Sequence, residues 1–413
     1  MSFHLQLRYE TMSLKGKIMI NRRHLLASAF LPMLARTSYA ANWASIEAEA
    51  KGQTVYFNAW AGSDTINAYI VWAGDEVKKR YGVSVEHTKI TDTAEVVKRV
   101  RDEVAAGKTD GSVDLVWING ENFRAMKNDK LLFGPWSETT PNYALVDTEG
   151  KPTTRQDFSE AVNGMESPWG MAQLTFFADG AKVPTPPRSM MELTSFAAAN
   201  PGRVSYPAPP DFHGTTFIKQ VLYESVSDAS VFAVAADAQA FSTYEPLLTA
   251  ALDAMHKTFW RDGKQFPKSQ ADVTNMVADG ELMIGITFNP NEPANLVAAG
   301  RMPATTVAWQ HRNGTIGNTH FVAIPANAKA KAGAQVFANF LLSPEAQAKK
   351  NDLKTWGDPT VLAMSKLSEA DAKLFTTAVA AGSVSLPGPA LLEPHASWVA
   401  LLEAAWLKRY GQG

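Results

Sequence analysis

From residue 53 onward, the hydrophobic and polar positions alternate between a period typical of strands and a period typical of helices. Residues 54–57 form a short apolar run that predicts a buried strand. After Ser63 or Asp64, either of which can cap a helix, apolar side chains recur on one helical face up to Gly82, where the helix should end. The side chains on that face are Ile66, Tyr69, Ile70, Val77 and Tyr81.

The same order of strand and helix continues along the chain. Val83 and Val85 begin a second strand, residues 93–106 form a helix, and Gly107 ends that helix. Residues 113–118 predict a third strand, and residues 122–130 a further helix that Asn122 can cap. The inward face of the helix over 93–106 carries Val96, Val97, Val100 and Val104. Strands separated by helices indicate βαβ units, so we expect a mainly parallel sheet.

A second region with the same pattern begins near residue 168, where Ser167-Pro168-Trp169-Gly170 interrupts the apolar periodicity. Residues 174–177 form an apolar run, strands are predicted over 204–206 and 282–288, and a helix is predicted from Thr215. After residues 321–325 we expect a mostly helical chain to its end. With 413 residues, of which 46% are hydrophobic, the chain is long enough for two α/β domains.

The first 40 residues predict a secretory signal peptide that does not belong to the fold. Arg22 and Arg23 precede a short apolar stretch over residues 25–35, and Ser38-Tyr39-Ala40 has the small residues of a cleavage site. The apolar stretch is shorter than the roughly 20 residues that a membrane-spanning helix needs. The arginine pair also permits export by the twin-arginine route, and the long lead before it suggests that Met19 is the true start. We therefore expect a periplasmic protein.

Charge and cysteine content exclude several classes of function. The formal net charge is −2, and no run of lysine or arginine indicates a nucleic-acid partner. The predicted signal peptide carries six basic residues and one acidic residue, so the rest of the chain is mildly acidic. Since the chain has no cysteine, disulfides, thiol catalysis and cysteine-ligated metals are excluded.

Motifs of nucleotide and metal sites are incomplete. Gly107-Lys108-Thr109 resembles the end of a phosphate-binding loop, but position 102 is aspartate where that loop needs glycine, and the triplet ends a predicted helix instead of beginning one. His311 and His320 flank a loop rich in glycine and asparagine without further ligands at metal-binding spacing. We expect no metal site and no cofactor.

Polar turns follow four of the predicted strands, and in open α/β sheets ligands bind beyond the carboxyl ends of the strands. Free backbone N–H groups at such turns can bind polar ligand groups, and glycine allows close approach of the backbone. Each turn can also be an ordinary helix cap. The candidate ligand-binding residues in these turns are Trp60, Ser63, Asn119, Gly120, Glu121, Phe212, Thr215, Thr216, Asn289, Asn291 and Glu292.

Tryptophans beside glycine, proline or polar residues are further candidates, because indole rings can stack on sugars or attract cations. Trp60, Trp169, Trp309 and Trp356 have such neighbours, although packing in the core or the hinge explains each equally well. Trp72 lies within a predicted helix and Trp117 within a predicted strand, so we interpret both as core residues.

Five stretches of the chain resemble the periplasmic solute-binding proteins of ABC importers. Gly111–Trp117 is similar to a strand that follows a helix in that family, Gly280–Ile286 to the pocket edge of its second lobe, and His320–Pro325 to its return crossing. The most specific stretch is Ala334–Ala348, "AQVFANFLLSPEAQA", which resembles the family's helix and its "SPEAQ" turn. Asn200–Pro207 resembles the branch that binds iron, thiamine and polyamines.

The resemblance implies a type II periplasmic binding fold, an α/β fold of two lobes that close around one solute. Each lobe is then a mixed sheet flanked by helices. Lobe 1 would comprise residues 41–167 and 318–345, lobe 2 residues 168–317, and the helices of residues 346–413 would pack across both. The implied partners are a small-molecule solute and an inner-membrane permease with its ATPase, and the implied protein is a monomer with neither a membrane anchor nor enzymatic activity.

The class of solute stays open at this point. The family's ferric-iron binders carry adjacent tyrosines, whereas the tyrosines of this chain are scattered, so a tyrosine-ligated iron site is not expected. Glu121, Asp211 and Glu292 near tryptophans suit a cation such as a polyamine or thiamine, which we favour.

Other residue types favour other ligands. Asn119, Asn289 and Asn318 suit a sugar equally well, while Thr215 and Thr216 at a helix start suit an anionic group. An exported hydrolase or lyase that uses Glu121, Asp211 or His213 as acid and base is the alternative from another class of function.

Overall fold

The computed structural model describes residues 42–375 and 380–411. The predicted signal peptide over residues 1–40 lies outside the described residues. Residues 42–50 are helical, and the described residues from Ile46 onward form one compact unit. Among the described residues, no helix combines the length and the apolar character needed to cross a membrane.

Two main sheets form the framework of this unit. The strands are β1 Thr54–Trp60, β2 Ser84–Ile90, β3 Leu115–Ile118, β4 Gln156–Asp157, β5 Glu160–Ala161, β6 Glu166–Gln173, β7 Thr175–Asp179, β8 Gly285–Thr287, β9 Thr306–Trp309, β10 Thr315–Ala323, β11 Val384–Leu386 and β12 Ala390–Leu391. The first sheet has the order β12-β10-β3-β1-β2, and β6 also pairs with β10; the second has the order β11-β9-β7-β8. The strands β4 and β5 form a separate hairpin.

Helices cover both sheets. They are α1 Asp64–Tyr81, α2 Thr93–Ala105, α3 Gly120–Asn128, α4 Met190–Ala199, α5 Phe212–Ser225, α6 Ala238–Phe241, α7 Glu245–His256, α8 Gln270–Ala278, α9 Glu292–Ala298, α10 Lys331–Leu341, α11 Pro344–Asn351, α12 Glu369–Ala372 and α13 Ser397–Tyr410. Short 3₁₀ helices lie at Ser137–Thr139, Pro141–Leu145, Pro152–Arg155, Ala229–Ala233, Trp260–Gly263 and Met364–Lys366.

The sequence pattern predicted the first sheet well. The strands β1, β2 and β3 are parallel, as expected for βαβ units. The helix α1 ends at Gly82, whose positive φ of 70° lets its N–H donate to the carbonyl of Lys78. Asp92 caps α2 through a hydrogen bond from the N–H of Ala94 (2.8 Å). Of the four valines predicted to face inward from α2, Val104 is partly exposed.

The second sheet is mixed, as the resemblance implied: β7 pairs antiparallel with both β8 and β9, and β11 pairs parallel with β9. Several element predictions were wrong. Residues 204–206 make a single bridge to Ile284 instead of a strand, and β8 is limited to Gly285–Thr287. The helices α3 and α5 begin before the predicted starts, so Asn122 lies inside α3 and does not cap it. Two strands, β11 and β12, interrupt the predicted helical end of the chain.

Each sheet has its own hydrophobic core, and β6 and β10 connect the two. Around β3, Val116 and Ile118 pack on Phe123 of α3. Around β7, Phe176 packs with Phe217 of α5 and with Trp398 of α13. The strands β6 and β10 pair antiparallel; β6 leads directly into β7 of the second sheet, and β10 follows β9 of that sheet. The chain therefore passes between the sheets on these two strands, the arrangement of a two-lobed α/β fold.

Candidate functional site

The turn after β3 is held in place by the glycine at its centre. Gly120 has a φ of +59°, which L side chains seldom adopt, and a Cβ there would lie 2.7 Å from the ring of Phe158. The Gly120 N–H donates to Oδ2 of Asp157 (2.7 Å), and the amide of Asn119 donates to the carbonyl of Thr319 on β10 (2.6 Å). This turn therefore lies against both the β4–β5 hairpin and the crossing strand, and the exposed Glu121 follows it.

The start of α5 contributes a second set of polar groups. Asp211 caps the helix by accepting hydrogen bonds from the N–H groups of His213 (2.9 Å) and Gly214 (3.2 Å). The buried Thr215 donates its hydroxyl to Oε1 of Glu403 on α13 (2.7 Å). Thr216 donates its hydroxyl to the carbonyl of Phe212 (2.8 Å), so its polar group is already satisfied within the helix.

Three buried or partly buried carboxyl groups from distant parts of the chain lie within electrostatic range of Glu121. We call Glu121, Asp157, Glu393 and Glu403 the acidic cluster. The Glu121 side chain interacts electrostatically with each of the other three. Burial is the main reason that the pKa values of Asp157, Glu393 and Glu403 are raised above the usual range of a carboxyl group, and the negative charge of Glu121 raises them further.

One ammonium group contacts the acidic cluster directly. Lys219 of α5 pairs with Glu393 at 2.9 Å, and both side chains are 1% exposed. The Lys219 ammonium also lies 4.5 Å from the ring centre of Phe158 and 5.9 Å from that of Phe212. Asn318 of β10 donates its amide to Glu393 (3.3 Å), while its buried Oδ1 has no partner among the described residues.

The cluster is thus short of positive charge. Lys219 lowers the pKa of Glu393, although burial outweighs this effect. Glu403 accepts a hydrogen bond from the neutral hydroxyl of Thr215, and Glu121 has no hydrogen bond or ion pair with the described residues. A positively charged group placed here would supply the missing counter-charge.

The turn after β8 makes contacts of a different kind. Asn289 donates its amide to the carbonyl of Trp356 (3.3 Å), and Asn291 donates to the carbonyl of Gly357. Glu292 accepts hydrogen bonds from the hydroxyl of Thr287 and from the amide of Gln270 (3.1 Å to each carboxylate oxygen). Its carboxylate is therefore occupied by neighbours around β8 and α8.

Trp169 lies in an enclosed group of aromatic rings. Its ring centre is 4.9 Å from that of Trp117 and 5.4 Å from that of Trp356, and the side chain is fully buried. The buried ion pair of Lys350 and Asp358 lies beside these rings, with the two charged groups 2.8 Å apart. A solute reaches Trp169 only if this group of rings opens, so its predicted place in the site is untested. Trp309 is also fully buried, beside Phe176.

Trp60 and Ser63 lie at the end of β1. The indole of Trp60 is partly exposed and covers Gly62, where a Cβ would lie 2.1 Å from the ring. The hydroxyl of Ser63 is 2.9 Å from that of Thr65, and Ser63 makes no capping hydrogen bond to α1. These contacts are local, and they do not connect the end of β1 to the acidic cluster.

The structure thus divides the predicted residues into separate groups. Glu121 belongs to the acidic cluster, and the residues around that cluster are Asn119, Gly120, Phe212, Thr215 and Asn318. Asn289 and Asn291 contact the segment at Trp356, and Trp117 connects that segment to β3 through ring packing (5.9 Å). The prediction that the turn over 289–292 faces the turn over 119–122 across a ligand is not tested by these contacts.

Sequence reasoning missed Asp157, Lys219, Glu393 and Glu403. Lys219 carried a usable signal, because it lies four residues after Thr215 and three before Leu222, on the inward face of a helix with an apolar pattern. The three acids had no local signal that separates them from surface residues. Among the residues that the structure describes, no group of three or more His, Asp or Glu side chains is arranged to hold a metal ion.

Comparisons with known proteins agree with this architecture. The sequence profile described as "Bacterial extracellular solute-binding protein" matches residues 72–377. Protein YnjB of Escherichia coli (strain K12) is 46% identical over 382 residues, which are 92% of this chain and 97% of that protein.

Two solved structures have the same fold at low sequence identity. The spermidine/putrescine ABC transporter substrate-binding protein PotD from Streptococcus pneumoniae superposes with a TM-score of 0.56 at 14% identity, over 86% of this chain and 98% of that one. The apo ferric ion-binding protein A from Pasteurella haemolytica gives a TM-score of 0.58 at 13% identity, over 86% and 96% of the two chains.

Proposed function

Because this chain belongs to the family of bacterial extracellular solute-binding proteins, we propose that it is the solute-binding component of an ABC importer. It captures a small polar solute between its lobes and delivers the solute to a membrane permease that works with an ATPase. The lobe boundaries expected from the sequence, residues 41–167 with 318–345 and residues 168–317, belong to this proposal. So do export by the signal peptide, a periplasmic location and a monomeric state.

The solute that the site supports best is an organic cation. The observation that supports this proposal is the acidic cluster, in which the ammonium of Lys219 pairs directly with only one of the four carboxyl groups, that of Glu393. The exposed Glu121 and the hydroxyl-bonded Glu403 can pair with a solute that carries a positive charge. Phe212, a residue that is 41% exposed at the start of α5, can add a cation–π contact.

Thermal-shift measurements with the purified protein test the solute class. Spermidine, putrescine, thiamine, a neutral sugar and citrate form the panel. A ligand at a hundredfold excess over its Kd stabilises a protein by about 2.7 kcal/mol, so a true solute should raise the Tm clearly. We expect at least one organic cation to do so, because it supplies the missing positive charge. A rise with the sugar or with citrate, and none with any amine, would show that the cation proposal is wrong.

Variants of the acidic cluster locate the site once a binding amine is found. Glu121→Gln and Glu403→Gln should each weaken its binding about tenfold to a hundredfold, because a lost charge-assisted contact is worth about 1.5–3 kcal/mol. Isothermal titration calorimetry measures the change, and Glu149→Gln, at an exposed acid outside the cluster, serves as the matched control. Unchanged affinity in both cluster variants places the binding site elsewhere.

A further inference from the structure

Two fully buried carboxyl groups, those of Asp157 from the acidic cluster and of Glu166, lie within electrostatic range of each other. Asp157 of β4 is 1% exposed and Glu166, the first residue of β6, is 0% exposed. Their carboxyl groups interact electrostatically. Asp157 uses one oxygen to accept the N–H of Gly120, while its other oxygen and both oxygens of Glu166 have no partner among the described residues.

The charges around this pair do not neutralise it. On the side of Asp157 the neighbouring groups are Glu121 and Glu393, which are acidic. On the side of Glu166 the neighbouring cation is Lys127, whose ammonium already binds Glu160 and the carbonyl of Ala161, each at 2.6 Å.

The other elements that pack against β6 offer no free counter-charge to Glu166. The charged residue of α10 is Lys331, whose ammonium already donates to the carbonyl of Ala328 (2.7 Å). The partner of Glu166 on β10 is Ala323. The short helix Ser137–Thr139 also packs against β6, and it carries the buried but neutral Ser137 and the exposed Glu138. Two buried negative charges without a paired cation are strongly unfavourable. When two carboxyl groups share such a site, one of them stays protonated, which removes one of the two charges.

We propose that Asp157 and Glu166 form a proton-binding site that holds one proton at neutral pH, and that Glu166 carries it. Asp157 is the better anion because it accepts the backbone N–H at the start of α3, where the helix dipole also favours negative charge. Glu166 lacks any such donor. A protonated Glu166 also gains a hydroxyl that can donate, and the unpartnered oxygen of Asp157 is an acceptor in the same buried region.

A divalent metal ion is a poorer occupant than a proton. Calcium takes six to eight oxygen ligands, whereas the described residues around the pair contain no group of three or more acidic or histidine side chains suited to a metal ion. The proton needs only the two carboxyl groups that are present.

A bound proton at Glu166 makes the free energy of unfolding decrease as the pH rises. A glutamate that stays protonated in the folded protein has a raised pKa, whereas in the unfolded chain it ionises near pH 4.3. The unfolded state therefore binds fewer protons above that pH, and the contribution of Glu166 to stability is lost as the pH rises. Glu166→Gln keeps a neutral side chain in both states, so the Tm of this variant should rise relative to that of the wild type as the pH increases above about 4.5.

Infrared spectroscopy of the full chain tests the proposal directly. At neutral pH, the difference spectrum of wild type minus Glu166→Gln should show the C=O stretch of a protonated carboxyl, and Asp157→Asn should retain that band. Glu149→Gln is the matched control, because Glu149 is exposed and lies outside the groups around the pair, and it should leave the band unchanged. Wild-type protein with ¹³C-carboxyl-labelled glutamate should show the same band at lower frequency, which keeps the test valid if a variant fails to fold.

Three results would each overturn the proposal. The first is the absence of a label-sensitive protonated-carboxyl band in the wild type at neutral pH. The second is a Tm difference between Glu166→Gln and wild type that does not change with pH. The third is a Tm of the wild type, but not of Glu166→Gln, that rises with added calcium, because that result assigns the pair to a metal ion. None of these readouts depends on the identity of the transported solute.

Discussion

Replacing Lys219 with methionine should destabilise the protein by about 3–5 kcal/mol, which is the usual cost of leaving one partner of a buried ion pair without the other. The ammonium of Lys219 is within 2.9 Å of Glu393, and both side chains are almost fully buried. Without it, Glu393 keeps one hydrogen bond from the amide of Asn318 (3.3 Å) and remains near the negative charge of Glu121. Glu393 must then either stay charged without a counter-ion or take up a proton.

Denaturant unfolding followed by tryptophan fluorescence measures this change in the free energy of unfolding. Lys98→Met is the matched control, since Lys98 pairs with Asp102 at 2.7 Å but both side chains are more than half exposed. Such a surface pair within one helix contributes about 0.3–0.5 kcal/mol. The two lysines have the same chemistry and the same type of partner, so the difference between the variants isolates the effect of burial.

A second substitution distinguishes the contribution of the ion pair to stability from that of the packing of the Lys219 side chain. In Lys219→Met with Glu393→Gln, no unpaired charge remains, and a large part of the lost stability should return. If Lys219→Met costs no more than Lys98→Met, the pair contributes little to folding and the electrostatic description of the acidic cluster is wrong. If the double variant is as unstable as the single one, the loss comes from packing against Phe158 instead.

The acidic cluster also shows which parts of the site a sequence can reveal. Gly120, Thr215 and Asn318 were predictable because each lies at the end of a strand, at the start of a helix or on a crossing strand, and local patterns identify such positions. Asp157 and Glu393 were not predictable, because their meeting depends on contacts between residues more than 200 positions apart. No local pattern distinguishes these acids from solvated ones.

The fold shows the same division between local and long-range information. The spacing of Ile66, Tyr69 and Ile70 predicted a helix, because burial of one helical face imposes a period close to 3.6 residues. The extent of β8 was not predictable, because a strand is only as long as the partner that pairs with it, and Thr175–Phe177 pairs with three residues of β8. The short strand β11 forms only because β9 offers it a parallel edge.

Gly170 is the position where one added methyl group should have the largest effect on the strands that connect the two sheets. Gly170 pairs with His320 between β6 and β10. A Cβ at position 170 would lie 1.9 Å from Oδ2 of Asp358 and 2.4 Å from Nζ of Lys350. Those two groups form a buried ion pair, in which the ammonium of Lys350 also lies 5.2 Å from the ring centre of Trp169. The ion pair thus occupies the space that a side chain at position 170 would need.

Gly170→Ala should therefore cost about 3 kcal/mol or more, because overpacking typically costs about 1–3 kcal/mol and separation of a buried ion pair adds to it. Gly317→Ala on the paired strand is the control, since a Cβ there would lie 3.1 Å from the nearest atoms and needs only a small shift. Denaturant unfolding of both variants measures the difference. Equal, small losses would mean that Lys350 and Asp358 can separate easily. In that case the structure would not require glycine at position 170. The paired strands would then tolerate a side chain where the structure places two charged groups.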